Sequence, residues 1–539
     1  MKQYINILFS LLLALTLFTS CENLLEVTPE EVLLTDDYLG DDELDARSAL
    51  FGVLGQMQDI TAQYVVLGEM RADLADVSPE ATDELRQINN HQISSENSYT
   101  DLTNIFSIIN NCNFAIAGID TEAFEGVLLE DYASILRIRT WAQLQILINY
   151  GQLPYIDTPI TSDDDFDKNY PLLSFEDGIT QLIENLELIA GIENVSKYEN
   201  SLGYSIFKMI PDNDILLGDL YLWKGDHVLA ATHYKQFLDD NVLGNTYNLN
   251  NFDTSTILSA GVYTVNGEAW GLGIFNDFPQ STVIINYTAF VEAYRQPNTG
   301  YAVLKEQITY SPVIAQKWSA QIRGFEGAPY EQANYPGDFV RFEGSIDPTD
   351  FSISKYNYNY FSWYRAAKVY LRYAEAINYA GYPEQALAII NGIFNNTQVA
   401  PIDAPVFNNT EAYLNFDIDQ YYATNSSGQP ISGNQGIRGR VDLAPVNVDP
   451  GLTDAQTIEA VGALILNEAA LELAFEGNRW EDLLRFAKRA NTPAIVADAV
   501  FSKFESLGDL STANTIQQKL LNPDNWYLPL TIPDNFVAD

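Results

Sequence analysis

Glu472-Leu473-Ala474-Phe475-Glu476-Gly477-Asn478-Arg479-Trp480-Glu481-Asp482-Leu483 is the stretch from which the rest of the chain can be read. It spells a helix, a corner and a second helix. Gly477 can take the left-handed backbone conformation that ends a helix without a steric cost. Asn478 is placed to cap the next helix, with Glu481 three residues on as its reciprocal partner. Trp480 and Leu483, three apart, face one side of that helix. Two short helices turned on a glycine point to a mostly α protein built from helical pairs.

The same unit recurs upstream. Ile215 to Leu238 reads as two helices meeting at Gly225, with Ala230 and Tyr234 at fixed offsets. Ala366 to Ile393 repeats it, with the turn at Gly381 and Ala386 and Ile390 at the same offsets. A glycine allows the tight turn, and a small residue five places on lets the helices approach, as in tetratricopeptide pairs. The two glycines lie far apart, so these are degenerate repeats and not a regular array. Asp101 to Ile119 is a further predicted helix, with Leu102, Ile105, Ile108, Ile109 and Cys112 near one face. Ile135 to Tyr150 is another, stopped by Gly151 and Pro154.

Two long insertions interrupt the helical pattern. Residues 241–348 are rich in Gly, Asn, Pro, Tyr and Phe without helical period, and residues 397–449 are similar, with Gly428, Pro430, Gly433 and Gly436. Turn chemistry on a helical scaffold marks where binding sites are commonly carried. Tyr356, Tyr358 and Tyr360 alternate with Asn357 and Asn359 as on a strand, and are read as structural.

The start of the chain reads as an address. Met1-Lys2-Gln3 is followed by an apolar run from Ile5 to Phe18, too short to span a bilayer and shaped like a secretory signal. Leu17-Phe18-Thr19-Ser20-Cys21 resembles a bacterial lipoprotein cleavage site, although Phe18 stands where such sites usually carry Leu. That resemblance implies removal of residues 1–20 and lipidation of Cys21, leaving 21–539 as one domain anchored to a membrane without crossing it. Cys112 is the other cysteine, so lipidation of Cys21 leaves no disulfide framework, and Cys112 is read as a buried, inert thiol.

Composition limits the function. Of 539 residues 47% are hydrophobic and 19% charged, as in a folded globular protein. The net charge of −45 repels phosphate backbones and argues against nucleic-acid binding and strongly anionic ligands. The three histidines, His91, His227 and His233, form no metal-ligand spacing, and His227 and His233 lie six apart on one helix. Asp163, Asp165 and Asp167 alternate like the start of a calcium loop, but Lys168 holds the glycine place and Ser174 that of the closing glutamate, so a solvated acidic loop is predicted. No carboxylate pair stands out as a glycosidase pair, and no phosphate loop or serine elbow is present. No catalytic residue, metal or cofactor is proposed.

Several ordered blocks together resemble the SusD/RagB family. They are Asn23 to Pro29; Arg137 and Arg139 before Tyr150, Gly151 and Pro154; Arg365 to Leu371 with Tyr373-Ala374-Glu375-Ala376; Asn391 with Arg438-Gly439-Arg440; the opening stretch 472–483; and Trp526 to Pro533. One departure is Asn467-Glu468-Ala469, where the family often has glutamate-arginine, so a structural salt bridge is expected to be missing. The resemblance implies a scaffold of four tetratricopeptide-like pairs with ligand loops on the other side. It implies an outer-membrane lipoprotein of Bacteroidetes-type bacteria that acts as a lid on a TonB-dependent transporter, the scaffold helices contacting it, and captures oligosaccharides or, in some members, peptides.

A neutral oligosaccharide leads, because the loops are aromatic and amide-rich: sugar C–H faces stack on rings while Asn, Asp and Arg bond hydroxyls. The candidate ligand residues are Asn89, Asn90, Tyr99, Trp270, Trp318, Arg323, Tyr330 and Tyr335. Peptide capture is the alternative within the family, and a surface glycan-active enzyme or an adhesin is the alternative outside it.

Overall fold

The computed structural model describes residues 43–122, 126–162, 165, 168, 170–193, 205–239, 284–289, 304–323, 335–336, 353–357, 360–391, 411–414, 436–439 and 443–532. Cys21, Trp270, Tyr330 and Tyr358 lie outside them.

The described chain is mostly helical. The helices are α1 (Glu43–Gln56), α2 (Asp83–Asn89), α3 (Thr103–Gly118), α4 (Leu129–Tyr150), α5 (Phe175–Glu187), α6 (Asn213–Lys224), α7 (His227–Asp239), α8 (Pro312–Ser319), α9 (Ala366–Tyr379), α10 (Pro383–Asn391), α11 (Asp454–Glu472), α12 (Arg479–Ala490), α13 (Ala494–Ser506) and α14 (Leu510–Leu520). Among these, α3 packs on α4, α6 on α7, α9 on α10 and α13 on α14 as consecutive pairs. Gly225 and Gly381 stand at two of the turns with φ of 82° and 101°, as the sequence predicts. The close approach inside α6–α7 also depends on Gly218, where a Cβ would sit 2.6 Å from the Tyr234 ring.

The strands are short and form two-stranded antiparallel sheets: β1 (Ala75–Val77) with β5 (Ile308–Tyr310), β2 (Gln152–Pro154) with β3 (Leu172–Ser174), β4 (Ile284–Ala289) with β8 (Tyr360–Arg365), and β6 (Ile322–Arg323) with β7 (Tyr335–Pro336). The first insertion is therefore more ordered than its turn-rich composition predicts. It contributes β4, β5, α8, β6 and β7, whose brevity leaves no readable period, though Ser311-Pro312 is a helix start with proline in the first turn. The tyrosine alternation also differs from the predicted strand: Tyr356 lies in a 3-10 turn and β8 begins at Tyr360, both rings being buried.

The corner at 472–483 is built differently from its sequence reading. α11 ends at Glu472, and both Phe475 and Gly477 take positive φ, 69° and 78°. Asn478 makes no side-chain cap; its amide donates to the Glu476 carbonyl instead. Glu481 is paired with Arg372 at 2.9 Å and is not a reciprocal cap. The start of α12 is satisfied from elsewhere: Glu69 Oε1 accepts the N–H groups of Gly477 at 2.8 Å and Asn478 at 3.1 Å. Glu69 belongs to a π-helical turn, Val66–Met70, and a Cβ on its neighbour Gly68 would lie 2.0 Å from the Gly477 carbonyl oxygen. The free N–H groups at a helix N-terminus need an acceptor, and only glycine permits the two backbones to come this close.

Buried ion pairs tie the helices together. Asp219 on α6 accepts from Tyr234 at 2.5 Å, Tyr364 at 2.6 Å and Arg372 at 2.5 Å. Arg365 bridges Glu472 and Glu476 at 2.6 and 2.8 Å. Arg479 pairs with Asp73 at 2.7 Å, and Arg485 with Glu375 at 2.7 Å. Glu468 is not left single: Arg438, arriving from the second insertion, meets it at 2.8 Å. Removing one partner of such a pair is strongly destabilising, since a lone buried charge is costly.

Three further expectations can be placed. Cys112 is free and buried, and burial pushes its thiol up to about 12, out of reach of ready ionisation. Asp165 acts as a local staple, its Oδ2 accepting from the backbone N–H and hydroxyl of Thr161 at 2.7 and 2.8 Å. No described helix is long and apolar enough to cross a membrane.

Candidate functional site

The region of interest begins where the π-turn runs out. Residues 70–74 are clamped on all sides. Arg71 stacks 4.2 Å over the Trp480 ring, bonds Asn149 Oδ1 at 3.1 Å and donates to the Trp526 carbonyl. Lys503 donates to the carbonyls of Met70 and Ala72, each at 3.1 Å. His91 Nε2 lies 2.9 Å from the Arg71 carbonyl, so it carries the proton there. β1 emerges from this clamp and pairs with β5, while Ser311 bonds the Asp73 and Leu74 carbonyls at 2.6 and 2.7 Å.

On this rigid base sits a polar ledge. Asn89, the last residue of α2, donates to Asp76 Oδ1 at 3.1 Å and to Asn90 Oδ1 at 3.3 Å. The Val77 N–H also donates to Asp76 Oδ1, at 2.8 Å. Asn89 is buried, while Asp76 and Asn90 are half-buried. The amide hydrogens of Asn89 are thus spent within the cluster, and the half-buried Asp76 carboxylate and Asn90 amide retain further hydrogen-bonding capacity. Tyr99 lies on the same local unit, because Asn97 bonds the Glu84 carbonyl of α2 at 2.9 Å and caps the turn Ser98–Thr100. Its ring is half-buried, and burial raises its hydroxyl above the ordinary value, so it stays a neutral donor.

β5 leads on to the rest of the candidates. Trp318 on α8 is corrected to a core residue: it is 2% exposed, its indole donates to the Leu471 carbonyl at 3.2 Å, and it packs edge-on against Phe475. A large ring in a loop-rich stretch is as readily a packing residue as a contact. Arg323 and Tyr335 are brought together as register partners on β6 and β7. The second insertion reaches the same place, since the Ala444 N–H donates to the Ile322 carbonyl at 2.7 Å. The first insertion thus reaches β1 through β5, and the second meets the first at β6. Asp76 joins Asn89 and Asn90 without having been singled out in the sequence, since an acid within a three-residue strand gives no signal of its own.

The histidines are spoken for by packing. His233 Nδ1 meets Asp214 at 2.8 Å and its ring stacks on Tyr221. Burial lowers His227 to about 4, so it is neutral near pH 7. No group of three or more His, Cys, Asp or Glu among the described residues is arranged to hold a metal ion. The ledge offers acceptors on a fixed base, which is chemistry for holding a donor-rich molecule.

Comparison with known proteins agrees with this architecture. Residues 333–534 match the SusD family. A SusD-like protein, P38, of Formosa agariphila is 22% identical over 526 residues, covering 90% of this chain and 93% of its own. A SusD superfamily protein from Bacteroides vulgatus superposes with a TM-score of 0.59 at 15% identity, covering 89% of this chain and 93% of its own. A laminarin binding SusD-like protein superposes with a TM-score of 0.53 at 16% identity, covering 84% of this chain and 94% of its own.

Proposed function

We propose that this chain, a protein of SusD/RagB type in its fold and in residues 333–534, captures an oligosaccharide and passes it to a TonB-dependent outer-membrane transporter. The observation that carries the reading is the polar ledge in which buried Asn89 holds the half-buried Asp76 and Asn90, set on a clamped strand that pairs with β5 of the first insertion. Sugar hydroxyls are the donors such a ledge suits, and the likeness to a laminarin binding protein supports the same class. Tyr99 lies on the same local unit as the ledge, and Trp270, Arg323, Tyr330 and Tyr335 remain proposed ligand residues from the sequence. Binding here is reversible and no bond is broken. The lipid on Cys21 would hold the protein at the outer face of the membrane, beside its transporter.

Calorimetry of the purified protein against neutral oligosaccharides and peptides tests this. Saturable heat with a sugar, without cleavage products, is expected. Heat with peptides alone would move the protein to peptide capture, and product formation would overturn the binding reading.

A further inference from the structure

The chain has 28 Lys and Arg against 73 Asp and Glu, and the fold draws the scarce cations inward. Among the described residues thirteen Lys and Arg are buried, with eleven Asp and Glu. Among the described residues the interior is thus close to charge balance, and their acid excess lies outside it. The exposed cations among the described residues are Lys168, Lys224, Lys305 and Lys519. Two of these are already engaged, Lys168 with Asp165 at 2.5 Å and Lys519 with the His91 carbonyl at 2.7 Å. Acids are exposed all along the chain, among them Asp83, Glu96, Asp120, Glu184, Asp454 and Glu505.

This segregation gives salt a one-sided effect. Attractive pairs such as Arg365–Glu472 and Arg479–Asp73 lie inside, where mobile ions screen little. Repulsion between acids lies at the surface, where screening is strong. In about 10 mM salt the screening length is about 30 Å, so acids repel across the surface; near 0.15 M it is about 8 Å. A surface far from neutral destabilises the compact state through this self-repulsion.

We propose that the exterior is a polyanionic surface that binds a diffuse atmosphere of inorganic cations, and that the folded state depends on that atmosphere. The partner is a class, simple monovalent cations without distinction, with divalent ones acting at lower concentration. It is not a coordination site, and it does not depend on which ligand the ledge takes.

The test is the melting temperature of the purified protein from about 10 to about 500 mM NaCl or KCl at fixed pH. Glycine betaine at matched osmolality is the uncharged control. A second protein carries E96K, E122K, E193K and E505K, four exposed positions. The expected result is a rise of several degrees with either salt and none with betaine. The fourfold variant should melt higher than the parent in low salt and respond less to added salt. A flat or falling parent curve, a rise that betaine reproduces, a requirement for one particular cation, or an unchanged response in a folded variant would overturn the proposal.

Discussion

Oε1 of Glu69 accepts the backbone N–H of Gly477 at 2.8 Å, joining residues 408 apart in the sequence. Burial pushes this carboxyl up to about 8, although backbone N–H donors of the corner pull it down. The folded state therefore keeps a proton that the unfolded state releases above its ordinary value of 4.5. Stability contributed by this group falls as pH rises from about 5 to about 8. Glu69→Gln keeps an acceptor for both N–H groups and removes the titration. Urea unfolding at several pH values should show a shallower decline for the variant, by roughly a few kcal/mol across that window; an identical decline would refute the assignment.

Gly68 and Gly52 should respond to alanine in opposite ways. A Cβ at Gly68 meets the Gly477 carbonyl oxygen at 2.0 Å, whereas one at Gly52, inside α1, meets nothing within 4 Å. Gly68→Ala is expected to cost about 1–3 kcal/mol through overpacking. Gly52→Ala should gain roughly 0.5–1 kcal/mol through chain entropy. Thermal melts of the two variants check this.

Asp219 is buried, which raises it, yet Arg372 and Lys368 hold it below the usual carboxylate value. Its stabilisation is present above its ordinary pKa and is lost as pH falls below it. Asp219→Ala leaves Arg372 with one acid partner fewer and should cost about 3–5 kcal/mol near pH 7. Chemical denaturation measures it, and a loss under 1 kcal/mol would show the network to be dispensable.

His91 is held down to about 3 by burial and by the nearby charges of Arg71 and Lys503. The unfolded state takes up its proton near 6.5 and the folded state does not, so stability from this site declines as pH drops from about 6.5 toward 3. His91→Gln retains a donor for the Arg71 carbonyl without the titration. Its midpoint in denaturant should fall less between pH 7 and pH 5 than that of the parent.

At the ledge, Asp76→Asn preserves an acceptor for Asn89 and the Val77 N–H while removing charge. Sugar affinity should drop about tenfold, the worth of one hydrogen bond to a charged group, with the melting temperature nearly unchanged. Trp318→Ala should do the reverse in kind, costing about 3–5 kcal/mol of stability as a core deletion. Calorimetry and melting curves on both separate ligand contact from packing.

The sequence makes local features plain and leaves distant ones hidden. Gly225 and Gly381 mark their turns because backbone strain there depends on one residue. The helices read at 101–119 and 135–150 are legible from their apolar spacing, although the second begins earlier than read, at Leu129. The cap on α12 is not, because its donors meet Glu69 from the other end of the chain and Asn478 looks like a cap in isolation. The pairing of Arg323 with Tyr335 depends on register across an insertion, which no local pattern encodes. Trp318 shows the limit of residue type: aromaticity predicts burial or contact equally, and neighbours decide.

Arg71 donates to the carbonyl of Trp526, and the Leu528 N–H donates to the Asn149 carbonyl, so the last described stretch is sewn into the first helices. These two closures join residues more than 370 apart, so they are contacts of high sequence separation, the kind that forms slowly because a long loop must first be closed.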